Sequence, residues 1–444
     1  MAKTEIPTAV SQNAIQKPTQ YRWVVLGVMW VSYLMCFADR GNIGIVIPVL
    51  RTEFSLSNME AGALMSFMFI GYSISQIPAG FYISKYGTRG LVALSVLGFS
   101  VFTALIGTAG TAAIIKWHRV GLGLFEGLFP VGATSTIKNW FPSKERGFAT
   151  GLYMAATNVA AMVTPVVAVW IMVNFGWRWV FYFFALPGLI TSALWWYLVR
   201  TRPEEVKSCN AAEVEYINDK SDATNSKKEE KSFGWFDTLI RAKKVTPLQT
   251  SREVLTSWNV WGITLSYFFA VSIYYGMMTW IPSYLVNAKG FTLMKMGWVS
   301  AAPWIGGSIG AILGGWISDN VFARRRKPTM WVTGLATAAM MYFIINVPAD
   351  VTILTITLFM AGFLMNIGWG TFTAYPMGLT TNSTYPVAIS ILNTGGNVAG
   401  FTSPIIAGYL LDTYKNYDMV FIFFGICGIL CWLINATLDE PINY

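Results

Sequence analysis

Twelve apolar stretches, each long enough to cross about 30 Å of hydrocarbon, divide this chain of 444 residues. Six fall at 22–50, 58–83, 90–110, 112–139, 148–173 and 177–199, and six more at 258–286, 296–318, 329–347, 352–375, 385–411 and 418–437. Inside a bilayer every backbone polar group must be satisfied within its own segment, which leaves helices as the spanning element for runs of this length. Hydrophobic residues make up 54% of the chain and charged ones only 12%, far more apolar surface than one soluble core needs. The expected fold is all-α and integral to the membrane, with twelve transmembrane helices in two pseudo-symmetric six-helix bundles. The expected organisation is a tail at 1–21, a first bundle at 22–199, a polar linker at 200–257, a second bundle at 258–437 and a tail at 438–444. Within the linker, KSDATNSKKEEK (Lys220–Lys231) is polar and mixed in charge.

The net charge of +9 does not point to nucleic acid, because the bases sit in short loops between apolar runs instead of on one polar face. Lys85 and Arg89, then Lys138, Lys144 and Arg146, then the linker, then Arg324 to Lys327 fall on one side of the twelve-span count. The positive-inside rule makes that side, with both tails, cytoplasmic. Four cysteines and one histidine show no metal-ligand spacing, so neither a disulfide framework nor a metal is expected, and no cofactor. The first twenty residues are polar and lack an apolar core, so no cleaved signal peptide is expected. An internal echo joins the halves: GFYISKYGTRG (Gly80–Gly90) follows span 2 and GGWISDNVFARRRK (Gly314–Lys327) follows span 8. Paired halves of this kind place a substrate site at the midplane between them.

Within that apolar frame, MCFADRGNIG (Met35–Gly44) sets Asp39 and Arg40 near the centre of span 1. An ionisable group there is disfavoured by about 2.5–3.5 kcal/mol on insertion scales, so it faces a partner charge or a water-filled path. Span 4 supplies Arg119 and Glu126, seven residues and about 10 Å apart on one face. The expected pairs are Asp39 with Arg119 and Arg40 with Glu126. A substrate carboxylate gripping Arg40 would then strip Glu126 of its counter-ion and lead it to take up a proton. The competing reading is a static cluster that only orients spans 1 and 4, although buried ion pairs stabilise poorly against apolar packing. Further lining candidates are Asn366, Trp369 and Thr373 on one face of span 10, Asn393 and Asn397 on span 11, and Tyr72, Tyr274 and Tyr275. For each, the alternative is a bond to a neighbouring helix. Arg40 is the one mid-membrane base left to meet an anion, which implies a single anionic group with neutral hydroxyls, as in a sugar acid or related hydroxy-carboxylate.

FADRGNI, YSISQIPAG (Tyr72–Gly80), RVGLGLFEGLFP (Arg119–Pro130) and NWFPSKERGFATG (Asn139–Gly151), together with the Gly80–Gly90 signature, resemble the anion:cation symporter family of the major facilitator superfamily. The resemblance covers the whole chain and implies a secondary transporter, with Asp39 and Glu126 in proton coupling and Arg40 on substrate. The expected function is import of a small organic anion by proton symport with alternating access, not enzyme catalysis. The partners are that anion, protons with sodium left open, and bilayer lipid; nucleic acid is not among them, and the chain is expected to act as a monomer. An efflux antiporter is the first alternative, although Gly151–Val167 lacks the Gly-Pro run common in such proteins. The second is a membrane anion sensor signalling through 200–257. The compact loop between spans 1 and 2 resembles bacterial members, which implies the inner membrane. Ser84, Lys85, Arg89 and Asp319 are the gating candidates. Ser84 stands where the signature carries an acid, while the second copy keeps Asp319, so the gate at Ser84 brings no charge to a helix dipole and is expected to be looser. Ser84→Asp is expected to reduce labelling of a cysteine placed at the cytoplasmic gate; unchanged labelling contradicts the expectation.

Overall fold

Eleven helices among the described residues are long and apolar enough to cross a membrane. In this computed structural model the described residues are 17–218, 233–381 and 383–442, without the side chains of Ile77, Ser84, Ser143 and Lys144. The first half contains α1 (Tyr21–Glu53), α2 (Asn58–Tyr86), α3 (Thr88–Thr108), α4 (Ala112–Glu126), α5 (Leu128–Trp140), α6 (Ser143–Phe175) and α7 (Trp177–Leu198). The linker carries α8 (Ala211–Asn218), α9 (Trp235–Leu239), the short strand β1 (Ala242–Lys243) and α10 (Ser251–Thr256). The second half contains α11 (Trp258–Asn287), α12 (Leu293–Trp316), α13 (Lys327–Asn346), α14 (Val351–Ile367), α15 (Trp369–Leu379), α16 (Tyr385–Tyr414) and α17 (Asp418–Thr437), followed by β2 (Glu440–Pro441). The helix α16 is 30 residues long, enough to reach about 45 Å. Its polarity comes from residues such as Asn393, Thr394 and Asn397, and it completes twelve crossings.

Spans 4 and 10, expected as single helices, are each broken at a glycine. The fourth crossing is α4 and α5, parted at Gly127, and the tenth is α14 and α15, parted at Gly368. Close packing explains both breaks. A Cβ on Gly127 would lie 2.2 Å from the Ser75 hydroxyl and 2.5 Å from the Tyr72 carbonyl on α2. One on Gly368 would lie 2.7 Å from the Thr333 hydroxyl on α13, which also accepts the Gly368 amide at 2.7 Å. Each break is therefore pressed against a neighbouring helix, and the one at Gly368 is also bonded to it.

The halves meet where α1 packs on α11, α2 on α16 and α6 on α12. Gly400, Pro404 and Gly408 form a stripe on α16 facing α2. A Cβ on Gly62 would lie 2.2 Å from the Pro404 carbonyl, and one on Gly408 2.4 Å from that of Asn58. Asn397 and Asn393 continue the stripe at helical spacing, yet Asn393 is exposed. The seam is thus shut on the far face, and Asn393 is open to solvent toward the face that carries Tyr21 and Thr437. Asp412 clasps the shut end. Its carboxylate accepts the α2 amides of Asn58 at 2.9 Å and Met59 at 2.8 Å, and the Asn58 side chain at 2.8 Å. A carboxylate suits the positive end of a helix.

The linker is tied to both halves. Glu213 on α8 accepts the main-chain amides of Tyr21 at 2.8 Å and Arg22 at 3.1 Å, and pairs with the Arg22 guanidinium at 3.1 Å. Burial alone would raise the Glu213 carboxyl, but these hydrogen bonds and one from Thr19 hold it below its ordinary range. At the other end Arg325 grips Asp237 on α9, β1 pairs in parallel with β2, and Glu440 accepts the amides of Arg326 and Lys327 at the start of α13.

An N-terminal cap contributes about 0.5–2 kcal/mol, so Asp412→Ala is expected to shift the ratio of the two open forms up to roughly thirtyfold toward opening at the far face. Labelling at Ile281→Cys, beneath the shut seam, should speed up in that variant. Equal rates with and without Asp412 would show that the clasp does not hold the seam.

Candidate functional site

The middle of α1 crosses between α3, α4 and α11, and its acid and base are held there by different partners. The Arg40 Nε lies 3.0 Å from Glu126 Oε1, with both side chains buried. Glu126 is the last residue of α4, immediately before the Gly127 break. The α2–α4 approach that places it is close: a Cβ on Gly123 would lie 1.9 Å from the Met68 carbonyl. The Cys36 thiol, one turn before Arg40, donates to the same Oε1 at 3.1 Å. Glu126 Oε2 is buried and has no hydrogen-bond partner among the described residues. Two donors therefore crowd one carboxylate oxygen and leave the other bare.

Asp39 and Arg119 do not form the expected side-chain pair. Arg119 donates to the main-chain carbonyl of Asp39 at 2.9 Å and to those of Leu64 at 3.1 Å and Met65 at 3.4 Å. The Asp39 carboxylate instead accepts Thr103 at 2.8 Å and Asn42 at 3.3 Å. The guanidinium crosses α1 at the level of its backbone, so its planar donors are used on carbonyls of α1 and α2. Arg119 thus braces three helices, and Asp39 is solvated by neutral groups.

Around Arg40 the walls are aromatic. Its guanidinium lies 4.8 Å from the Tyr72 ring centre and 5.3 Å from that of Phe37, and donates to the Tyr275 hydroxyl at 3.2 Å. Tyr274 continues the wall, with ring centres 5.3 Å from Tyr275, 5.0 Å from Trp304 and 5.0 Å from Trp369. Arg40, Tyr72, Tyr274, Tyr275 and Trp369 are thereby one cluster drawn from both halves. Asn393 is exposed and Asn397 half-buried on α16, outside that cluster.

Asn366 and Thr373 are placed elsewhere. The break at Gly368 destroys the single face expected for span 10. Asn366 packs against Gly307 of α12 and donates to its own helix at the Gly362 carbonyl, 2.9 Å away. Thr373 is half-buried and donates to the Gly370 carbonyl at 3.0 Å. Among the gating candidates, Ser84 lies on α2 with its side chain outside the described residues. Lys85 lies over the Tyr86 ring, Arg89 donates to the Trp196 carbonyl at 2.8 Å, and Asp319 pairs with Arg326 at 2.6 Å.

Sequence reasoning missed Cys36, Asn42, Thr103 and Trp304. The first two were within reach, at four residues before Arg40 and three after Asp39, on shared helix faces. Thr103 and Trp304 come from other helices and leave no spacing signal.

A sequence profile described as Major Facilitator Superfamily matches residues 29–385 and 325–442. The chain is 28% identical to the "Probable sulfoacetate transporter SauU" of Cupriavidus necator, over 95% of this chain and 96% of that protein. It is 27% identical to the "Probable galactarate/D-glucarate transporter GudP" of Bacillus subtilis, over 96% of this chain and 94% of the relative. To the "D-galactonate transporter" of Escherichia coli O6:H1 it is also 27% identical, over 90% and 91%. In fold it is similar to a bacterial homologue of the human lysosomal transporter Spinster, with a TM-score of 0.76 at 18% identity, covering 96% of this chain and 99% of that one. A D-xylose-proton symporter gives a TM-score of 0.69 at 15% identity, with the same coverage. Matched by the family profile along most of its length and sharing the fold of solved transporters, the chain belongs to the Major Facilitator Superfamily and is a multi-pass membrane transporter, not an enzyme.

Proposed function

We propose that this protein imports a small organic monoanion, a sugar acid or related hydroxy-carboxylate, together with protons, across a bacterial inner membrane with its terminal face in the cytoplasm. The observation that carries this reading is the Arg40–Glu126 pair, buried in the first bundle against Tyr275 of the second, with Glu126 Oε2 unpartnered among the described residues. A substrate carboxylate takes Arg40 in a bidentate grip and leaves Glu126 with only the Cys36 thiol. A buried carboxylate that has lost its counter-ion binds a proton. Tyr72, Tyr275 and Trp369 then flank the body of the anion, and Asn393 and Asn397 supply amides toward its hydroxyls. The names of the relatives, which include galactonate and galactarate carriers, support the substrate class.

Charge balance supports coupling. Asp39, Arg40, Arg119 and Glu126 sum to zero, and one monoanion with one proton keeps that sum, so the loaded protein can reorient without carrying net charge through the bilayer. A second proton, on Asp39, would add one charge and draw about 2.3 kcal/mol per 100 mV from the membrane potential.

In proteoliposomes, a panel of organic acids should contain one that accumulates only with an inward proton gradient. Arg40→Ala should abolish both accumulation and exchange. Glu126→Gln should abolish accumulation while exchange of labelled for unlabelled acid continues. Uptake indifferent to the gradient and to Glu126→Gln contradicts proton symport, and a more than tenfold preference for a dianion contradicts the single-anion reading.

A further inference from the structure

A second basic site lies on α1, beyond Arg40 toward the far face. Arg51 follows Arg40 by eleven residues, which is about 16 Å along the axis and about 20° around it, so the two guanidiniums rise from one helix face. Gly44 lies on that face between them. A Cβ there would stand 2.6 Å from the Met278 carbonyl, so α1 and α11 touch at this level and seal the path.

Beyond the seal is a cavity of about 620 Å³, lined by both halves. Arg51 and Asn58 come from the first half, and Tyr284, Lys289, Lys415 and Tyr417 from the second. Its charge is lopsided. The one acid in the lining, Asp418, already accepts the Asn416 amide at 2.8 Å, and nearby Asp412 is engaged with the start of α2. Lys289 leans on the Tyr284 ring and donates to the Val347 carbonyl. Arg51 is hydrogen-bonded to Tyr417 through its side chain, and its Nε is buried with no hydrogen-bond partner among the described residues. A cavity lined by a guanidinium and two lysines suits a ligand that brings negatively charged acceptors.

We infer that this cavity is an outer capture site, built by Arg51, Lys289 and Lys415, for the same class of small organic anion that Arg40 binds. The inference rests on the proposed function and adds where the anion first docks. Three positive charges against the two carboxylates of Asp412 and Asp418 leave the mouth net positive, which raises the local anion concentration and the rate of entry. When α1 and α11 part at Gly44, the anion passes along one face of α1 from Arg51 to Arg40, and its charge meets a guanidinium at both ends of the path.

The test is sidedness. Entry kinetics of the acid that the wild type accumulates would be measured separately from the Arg51 face and from the terminal face in oriented proteoliposomes, at low and high salt. The R51Q/K415Q double variant should raise KM for entry from its own face by about tenfold at low ionic strength. The effect should shrink as salt screens the site, KM from the terminal face should not change, and R51K/K415R should restore wild-type entry. An unchanged KM at the Arg51 face overturns the inference, and so does an equal rise at both faces, which would mark a general conformational effect. If the wild type moves no organic anion, or Arg40→Ala leaves transport intact, the proposed function fails and the capture site with it. If Arg40→Ala abolishes transport while R51Q/K415Q enters normally, only the capture site fails.

Discussion

Four charged side chains buried in the first bundle, two acids and two bases, set the terms for the rest of this structure. Removing them from water costs several kcal/mol per ion, and mutual attraction repays this only with good geometry and extra hydrogen bonds. The chain meets the cost unevenly. Arg119 directs its donors to three main-chain carbonyls and braces α1, α2 and α4. Asp39 is held by Thr103 and Asn42. Arg40 and Glu126 pair with each other, with the Tyr275 hydroxyl and the Cys36 thiol as further partners and one carboxylate oxygen unbonded among the described residues. The fully bonded members are suited to holding helices in place, and the under-bonded pair is suited to exchanging partners.

The helix packing serves that division. Glycines on α2 and α4 bring the two helices to backbone contact, and the break at Gly127 ends α4 at Glu126. The second half repeats the device with a break at Gly368, next to the aromatic Trp369 instead of an acid. One half thus contributes charge and the other contributes rings, and they meet through Arg40, Tyr275 and Tyr274. At the far face the charge on Asp412 clasps the start of α2 through the amides of Asn58 and Met59.

Much of the fold was legible because bilayer crossing writes a coarse signal: long apolar runs, basic loops on one side and a repeated loop motif. The breaks in spans 4 and 10 were not, since a glycine in an apolar run is compatible with a continuous helix until a neighbouring backbone is known to press on it. Asn366 shows the consequence. Its spacing to Trp369 placed both on one face, but Gly368 turns the chain between them. The Arg40–Glu126 contact followed from counting charges, whereas the choice of Arg119 for the Asp39 carbonyl over its carboxylate depends on how deep α4 sits against α1, which no spacing records.

The central claim is that an anion on Arg40 makes Glu126 take up a proton. The most direct measurement is proton exchange on binding: the purified protein is titrated with its transported acid in a weakly buffered solution containing a pH indicator. The account predicts uptake of at least one proton per anion bound in the wild type, and binding with one proton fewer in Glu126→Gln. Binding with no proton uptake, or with uptake unaltered by Glu126→Gln, would contradict it.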